Sequence, residues 1–357
     1  MKKPVLSISI PTYNRKETVK ELVYDLLSLK DDRIEIVVTD NISTDDTYAF
    51  FKEIKDERLK VFQNKEAVPG LYNMIVGLFN ASGNYVLHCN DRDLIFVDKL
   101  QELINFLESS TFSFVQTSRD YGKATREILI YEKGYDSLMN QNYTSHPTGM
   151  VFNADLMHSN LDKIKYLQYI NEAFTYCFLM RDLVKYEKSA KYDIGCWNER
   201  HSKIKISLKS GSVYKGGLYF EPDRINMFMK SVVEHITERE NFNLTDKQKI
   251  EIVLKIISYF KRQLTLKKIC YSDKRECIHY GIKRRKVGYI EQKKIYMDYI
   301  KECTNVIKEL CLPPELEERW LILENEIMKE IPLNYIKAEK AIFLREFSRR
   351  FDPQYPY

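Results

Sequence analysis

Four short apolar runs, each set off from the next by a stretch of helical period, restrict most what this chain can fold into. They are VLSISI (Val5 to Ile10), IEIVVT (Ile34 to Thr39), LKVF (Leu59 to Phe62) and YVLHC (Tyr85 to Cys89). Short runs rich in β-branched residues, apolar at successive positions, read as strands covered on both faces. Between them, Val19, Leu22, Val23, Leu26 and Leu27 recur at helical spacing, and Phe50, Phe51 and Ile54 share one face. Leu71, Met74, Ile75, Leu78 and Phe79 follow Gly70 in the same way, with a stop near Ser82-Gly83. Asn14 with Glu17, and Ser43 with Asp46, are spaced to cap the first two helices. Repeated β-α units of this length make neighbouring strands parallel. The expectation is an α/β fold, a mostly parallel sheet with helices on both faces.

Such sheets bind ligands beyond the carboxyl ends of their strands. Three polar clusters fall there: Pro11-Thr12-Tyr13-Asn14, Asp40-Asn41 and Asn90-Asp91-Arg92-Asp93. The last sets two carboxylates and a guanidinium in three consecutive positions. It is either a solvated turn or a site that holds something charged. If the backbone there is extended, Asp91 and Asp93 point to one side and Arg92 to the other.

Beyond about Gly217 the pattern changes to helical periods rich in lysine and glutamate: Arg224 to Glu238, Asp246 to Leu266, Glu291 to Cys311, Pro314 to Lys329 and Tyr335 to Phe351. Two domains are expected, 1–216 and 217–357, the second helical and serving as a cap or a dimer interface. With 56 basic against 51 acidic residues, net charge is only +5, too mild for wholesale nucleic-acid binding. No apolar stretch reaches the ~20 residues of a membrane span, and the apolar run at the amino terminus is too short for a signal-peptide core. Seven scattered cysteines without C-x-x-C spacing point to a reducing, cytoplasmic setting. Phe343, Phe347 and Phe351 recur every four residues among arginines, a stripe that either packs on a neighbouring helix or touches a membrane surface.

In order and spacing, ISIPTYNR, VVTDNISTDDT and ASGNYVLHCNDRD resemble family 2 glycosyltransferases of the GT-A, Rossmann-like fold. The resemblance implies an inverting enzyme moving a sugar from a UDP-sugar to a glycan or lipid-linked glycan, in capsule, lipopolysaccharide or wall synthesis. It implies that Pro11, Thr12, Tyr13 and Asn14 frame the nucleotide, that Asp40 and Asn41 meet the pyrimidine edge, and that Asn64 and Asn73 lie on the donor side. Family members place an Asp-x-Asp element where Asn90, Asp91, Arg92 and Asp93 stand. Asp93, helped by Asp91, would then hold Mn²⁺ or Mg²⁺ against the diphosphate. Arg92 occupies a usual ligand position, however, and a guanidinium that neutralises the diphosphate itself would make the metal dispensable. His146, in SHPTGMVF, matches the segment lining the donor sugar and acceptor. For the catalytic base the candidates are Glu172, ahead of an apolar helical face, and Asp182, which sits beside Arg181 like half of an ion pair.

Two other readings stay open. A nucleotidyltransferase would use a related sheet, though it normally carries an early glycine-rich phosphate loop that this chain lacks. A non-catalytic glycan- or partner-binding protein would account for Arg92 and for the missing Glu-Asp pair at the base position.

Overall fold

A computed structural model describes residues 3–109, 111–141, 146–168, 175–199, 243–273, 277, 283–309 and 314–350. The chain divides into two compact units, Met1–Lys205 and Ile206–Tyr357. The boundary expected at 216 and the helix expected from Arg224 lie outside the described residues.

The four apolar runs form strands β1 (Leu6–Thr12), β2 (Ile34–Asp40), β3 (Leu59–Gln63) and β4 (Tyr85–His88), which are parallel and lie in the order β3-β2-β1-β4. Every residue of β2 is buried, as expected for a strand covered on both sides. Three helices provide cover here: α1 (Lys16–Ser28), α2 (Thr47–Glu53) and α3 (Gly70–Phe79). Val19, Leu22, Val23 and Leu26 are the buried face of α1. Helix α3 comes close to the sheet at Gly77, where a Cβ would stand 2.6 Å from Ser9 Oγ and 3.0 Å from Thr39 Oγ1. After β1 the chain moves to β2 on one side and returns as β4 on the other. That reversal opens a crevice at the carboxyl ends.

The helix caps differ from the expectation. Asn14 has φ 52° and Asp46 φ 62°, and α1 begins after Arg15 with no side-chain cap of its own. Instead Asp45, from the loop after β2, accepts a hydrogen bond from Lys16 N (2.9 Å) and another from Thr47 N (3.2 Å). One carboxylate thus serves the first turns of two helices. Asn14 Oδ1 accepts from Thr44 N (2.7 Å) and Ser43 Oγ from Asn14 N (2.8 Å), so the two loops are stitched together. The short polar side chains find partners in the loop after the neighbouring strand, which local spacing does not reveal.

The rest of the nine-stranded sheet is mixed. Strand β8 (Met150–Asn153) runs antiparallel to β4, and β6 (Phe114–Arg119) antiparallel to β8. The long β9 (Ser189–Glu199) runs parallel to β6. It is flanked antiparallel by β5 (Asp93–Ile95) at one end and β7 (Ile128–Tyr131) at the other. Five further helices accompany these strands: α4 (Val97–Glu108), α5 (Tyr135–Asn140), α6 (Ala154–Asn160), α7 (Lys163–Gln168) and α8 (Thr175–Leu183).

The second unit, as described, is helical: α9 (Asp246–Ser272), α10 (Tyr289–Glu309) and α11 (Pro314–Arg350). Thr245 and Gln248 form a capping box at the start of α9. Ile252, Val253, Ile256, Tyr296, Tyr299, Cys303, Ile327 and Ile331 are buried, and the Tyr299 hydroxyl donates to Ile257 O (2.7 Å). Among the described residues no helix is long and apolar enough to cross a membrane.

Candidate active site

Strand β4 delivers Asn90 to Asp93 to the crevice. The backbone is not extended there: Asp93 N donates to Asn90 O (3.0 Å), and the resulting turn sends the two carboxylates to different partners. Asp91 is buried and faces back to β1. Arg15 Nη1 donates to both of its oxygens (2.7 and 3.0 Å), and Thr12 Oγ1 to one of them (3.1 Å). Burial pushes the Asp91 carboxyl upward, against the opposing pull of the Arg15 guanidinium. Its chief work is to tie the end of β1 to the end of β4.

Asp93 is buried and turned the other way. Its Oδ2 accepts from His146 Nε2 (2.7 Å), Asn90 Nδ2 (3.0 Å) and the Thr148 hydroxyl. Burial alone would raise this carboxyl, but His146, Thr148 and Asn90 together hold it below the usual carboxylate range. The other oxygen, Oδ1, makes no hydrogen bond among the described residues. His146 stacks on Trp197 with centroids 5.1 Å apart and planes 10° from parallel. Trp197 reaches that place because residue 149 is glycine: φ is +86°, and a Cβ would lie 2.2 Å from Trp197 Nε1. Beneath the turn, buried His88 has Nε2 at 3.2 Å from Asn90 Oδ1, and burial holds its pKa down at about 4, so it is neutral near pH 7. Arg92, between the two aspartates, is half-buried and has no hydrogen-bond or ion-pair partner among the described residues.

At the end of β2, Asp40 is buried. Its Oδ2 accepts from Ser43 N (3.1 Å) and Gln63 Nε2 (3.0 Å), while Oδ1 is buried without a partner among the described residues. Buried acceptors are nearly always satisfied, which marks Oδ1 as an atom waiting for a donor. Asn41, expected to meet the base, is differently engaged. Its Oδ1 accepts from Asn64 Nδ2 and Val68 N (2.9 Å each), and its Nδ2 donates to Val68 O (2.8 Å). Asn73 Nδ2 donates to Thr39 O (3.0 Å) and Thr12 O (3.4 Å), and its Oδ1 accepts from Asn64 (2.9 Å). The three asparagines therefore hold the 64–68 loop and α3 against the strand ends. Tyr13 stands exposed at the rim, and Pro11, inside β1, is half-buried.

Of the two base candidates, Glu172 lies outside the described residues. Asp182 is buried, but its ion-pair partner is Lys185 (3.0 Å) rather than the expected Arg181, and the Tyr166 hydroxyl donates to its other oxygen. None of these partners belongs to the rim. Arg15, Thr148 and Trp197 join the site without being expected there. Arg15 and Thr148 carried a signal, as parts of the ISIPTYNR and SHPTGMVF segments.

No cluster of three or more His, Cys, Asp or Glu able to hold a metal occurs among the described residues. Mg²⁺ and Mn²⁺ need less, because they keep waters and bind through one or two carboxylates plus substrate phosphates. Asp93, ionised and with an uncommitted oxygen, fits that part. Asp91, both oxygens taken by Arg15, does not.

Comparison with known proteins places this geometry. An uncharacterized glycosyltransferase of Rickettsia conorii is 30% identical over 138 residues, 38% of this chain and 22% of that protein. The Escherichia coli enzyme WfaP, a UDP-Glc:α-D-GlcNAc-diphosphoundecaprenol β-1,3-glucosyltransferase, is 31% identical over 112 residues, 31% of this chain and 44% of its own. The chain thus spans less than half the length of these curated relatives. Among solved structures, Staphylococcus aureus TarS 1–349 in complex with UDP-GlcNAc superposes with a TM-score of 0.58 at 16% identity, covering 93% of this chain and 91% of that one, a likeness of fold. The family model "Glycosyl transferase family 2" matches residues 7–186, half of the 357 residues, and the chain belongs to that family.

Proposed function

We propose that this chain is an inverting glycosyltransferase that moves a sugar from a UDP-sugar to a lipid-linked glycan acceptor in bacterial surface-polysaccharide synthesis. One observation carries the reading: at the β1/β4 crevice, among the described residues, a clamped, ionised Asp93 keeps one oxygen uncommitted and the neighbouring Arg92 has no hydrogen-bond or ion-pair partner. WfaP, with its UDP-glucose donor and diphosphoundecaprenol-linked acceptor, supports the choice of both substrate classes. A lipid-carried acceptor sets the reaction at the inner face of a membrane.

Each side chain has a task in this reading. Asp40 Oδ1 accepts from the uracil N–H, and the Tyr13 ring flanks the base. Asp93 would hold a divalent ion, which when bound would supply positive charge at the diphosphate. Arg92 donates to the same diphosphate. His146, held by Asp93 and Trp197, closes the sugar side. The acceptor hydroxyl oxygen attacks the anomeric carbon, the bond to the diphosphate breaks, and the electron pair leaves on UDP. Glu172 takes the hydroxyl proton; Asp182, already paired with Lys185, is the weaker candidate. Arg92 favours a second reading, in which the guanidinium alone neutralises the diphosphate and metal is unnecessary.

Hydrolysis or transfer from a panel of UDP-sugars, with Mn²⁺ and with chelator, tests the proposal. Turnover dependent on metal and lost in Asp93→Ala supports it. Turnover unaffected by chelator but lost in Arg92→Ala supports the metal-free form. Absence of both UDP binding and turnover refutes both.

A further inference from the structure

We propose that the helical unit docks on an anionic lipid surface through one face, built from the amino end of α10 and the outer side of α11. The inference rests on the reading that the acceptor is lipid-linked, and it names the surface that would bring the enzyme to it.

Helix α11 is apolar on two sides. Ile327, Ile331, Ala338 and Ile342, at helical spacing, are buried, the last two against Ile269 of α9. On the other side Leu333, Ile336, Phe343, Leu344 and Phe347 follow one another along a single face and are exposed, Ile336 at 61% and Phe343 at 65%. The rings of Phe343 and Phe347 stack on each other, 6.0 Å apart at 22°. The aromatic stripe that sequence leaves between packing and membrane contact is thus outside the core as far as it is described; Phe351 is not.

Helix α10 begins at the flank of α11: Tyr289 meets Tyr335 edge-on at 5.4 Å, and the next residue, Ile290, is 85% exposed. Buried Lys268 fastens the two together. Its Nζ donates to Val287 O (2.7 Å), pairs with Glu339 (2.5 Å) and lies 3.8 Å from the Tyr335 ring centre. Directly before this junction come Lys283, Arg284, Arg285 and Lys286, all exposed, and α11 adds exposed Lys337 and Lys340. Of the neighbouring acids, Glu291 pairs with Arg285 (2.7 Å) and Glu339 with Lys268.

Large apolar side chains beside surplus lysines fit a headgroup boundary, where the rings enter and the ammonium groups meet lipid phosphates. A nucleic-acid groove would not call for Ile290, Ile336 and Phe343 to project. Two copies packed face to face would bring the same lysines together. Charge and apolarity together are complementary to an anionic bilayer.

The test uses the full chain and sedimentation with vesicles, either of phosphatidylcholine alone or with about one third phosphatidylglycerol. The wild-type protein is expected to bind the anionic vesicles more than about tenfold better, with affinity falling as salt is raised. Ile336→Ser with Phe343→Ser should lose binding to both vesicles. Lys286→Glu with Lys340→Glu should lose the anionic preference. Thermal unfolding of both double variants checks that the helices remain intact. Equal binding to both vesicles, binding to neither, or variants that bind like wild type would overturn the proposal. So would a wild-type dimer that Ile336→Ser with Phe343→Ser converts to monomer, since the face would then belong to a second copy. UDP titration without lipid separates the two readings: lost UDP binding with vesicle binding intact removes the transferase reading and leaves the surface, and the reverse removes the surface alone.

Discussion

The two ends of one sheet treat buried carboxylates differently. At the amino end, Glu35 on β2 is closed off: Ser7 Oγ (2.5 Å) and Ser82 N (2.8 Å) donate to Oε2, Ser82 Oγ (2.7 Å) donates to Oε1, and Gly83 N donates to Ser7 Oγ (2.9 Å). At the carboxyl end, Asp40 and Asp93 are also buried and clamped, yet among the described residues each keeps one oxygen without a hydrogen bond. A buried charge with all its valences met is architecture. One with a valence left over is held ready for something that is not part of the chain.

Substitutions can sharpen or break that contrast. The largest effect is expected from Gly149→Ala, which puts a Cβ into Trp197 at a φ of +86°; it should destabilise the fold by about 3 kcal/mol or more and displace His146 from Asp93. Denaturant midpoints measure it, and an unchanged midpoint would mean that the stacked rings do not depend on this glycine. Next is pH. His88, neutral at the rim with its pKa at about 4 against 6.5 unfolded, resists a proton that the unfolded chain accepts. Stability should therefore be complete above about pH 6.5 and fall on the order of 3 kcal/mol as pH drops toward 4, a slope that His88→Gln flattens. Glu35→Ala, leaving the buried Ser7 hydroxyl and both donors of Ser82 without their acceptor, should cost about 2 kcal/mol and leave UDP affinity alone. The smallest effect is Asp40→Asn: stability within about 0.5 kcal/mol of wild type, but UDP binding weaker by about tenfold in calorimetry. If Glu35→Ala lowered UDP affinity as much as Asp40→Asn, the two ends would not differ in kind.

The parallel half of the sheet was legible because its strands are apolar on both faces and alternate with amphipathic helices. The antiparallel half was not. Strand β5 has three residues, and β7 (Ile128–Tyr131) is apolar in sequence yet largely exposed, so no periodicity announces either. Site residues split the same way. Motif position leads to Asp93 and His146, while the roles of Arg15 and Trp197 come from contacts with distant segments. Strand-end position marks Asn41 as a rim residue and the family resemblance puts Asn64 and Asn73 on the donor side, but residue type does not say whether an amide faces the ligand or the neighbouring loop. Their hydrogen bonds do.

The most direct test is calorimetric titration of UDP in the presence of Mn²⁺, comparing wild type with Asp93→Asn. Asparagine keeps an acceptor for His146, Thr148 and Asn90 but removes the charge. The account predicts binding by wild type that Mn²⁺ strengthens, and in the variant a loss of that strengthening by at least about tenfold with folding stability preserved. An Asp93→Asn protein that binds UDP and responds to Mn²⁺ as wild type does would contradict it.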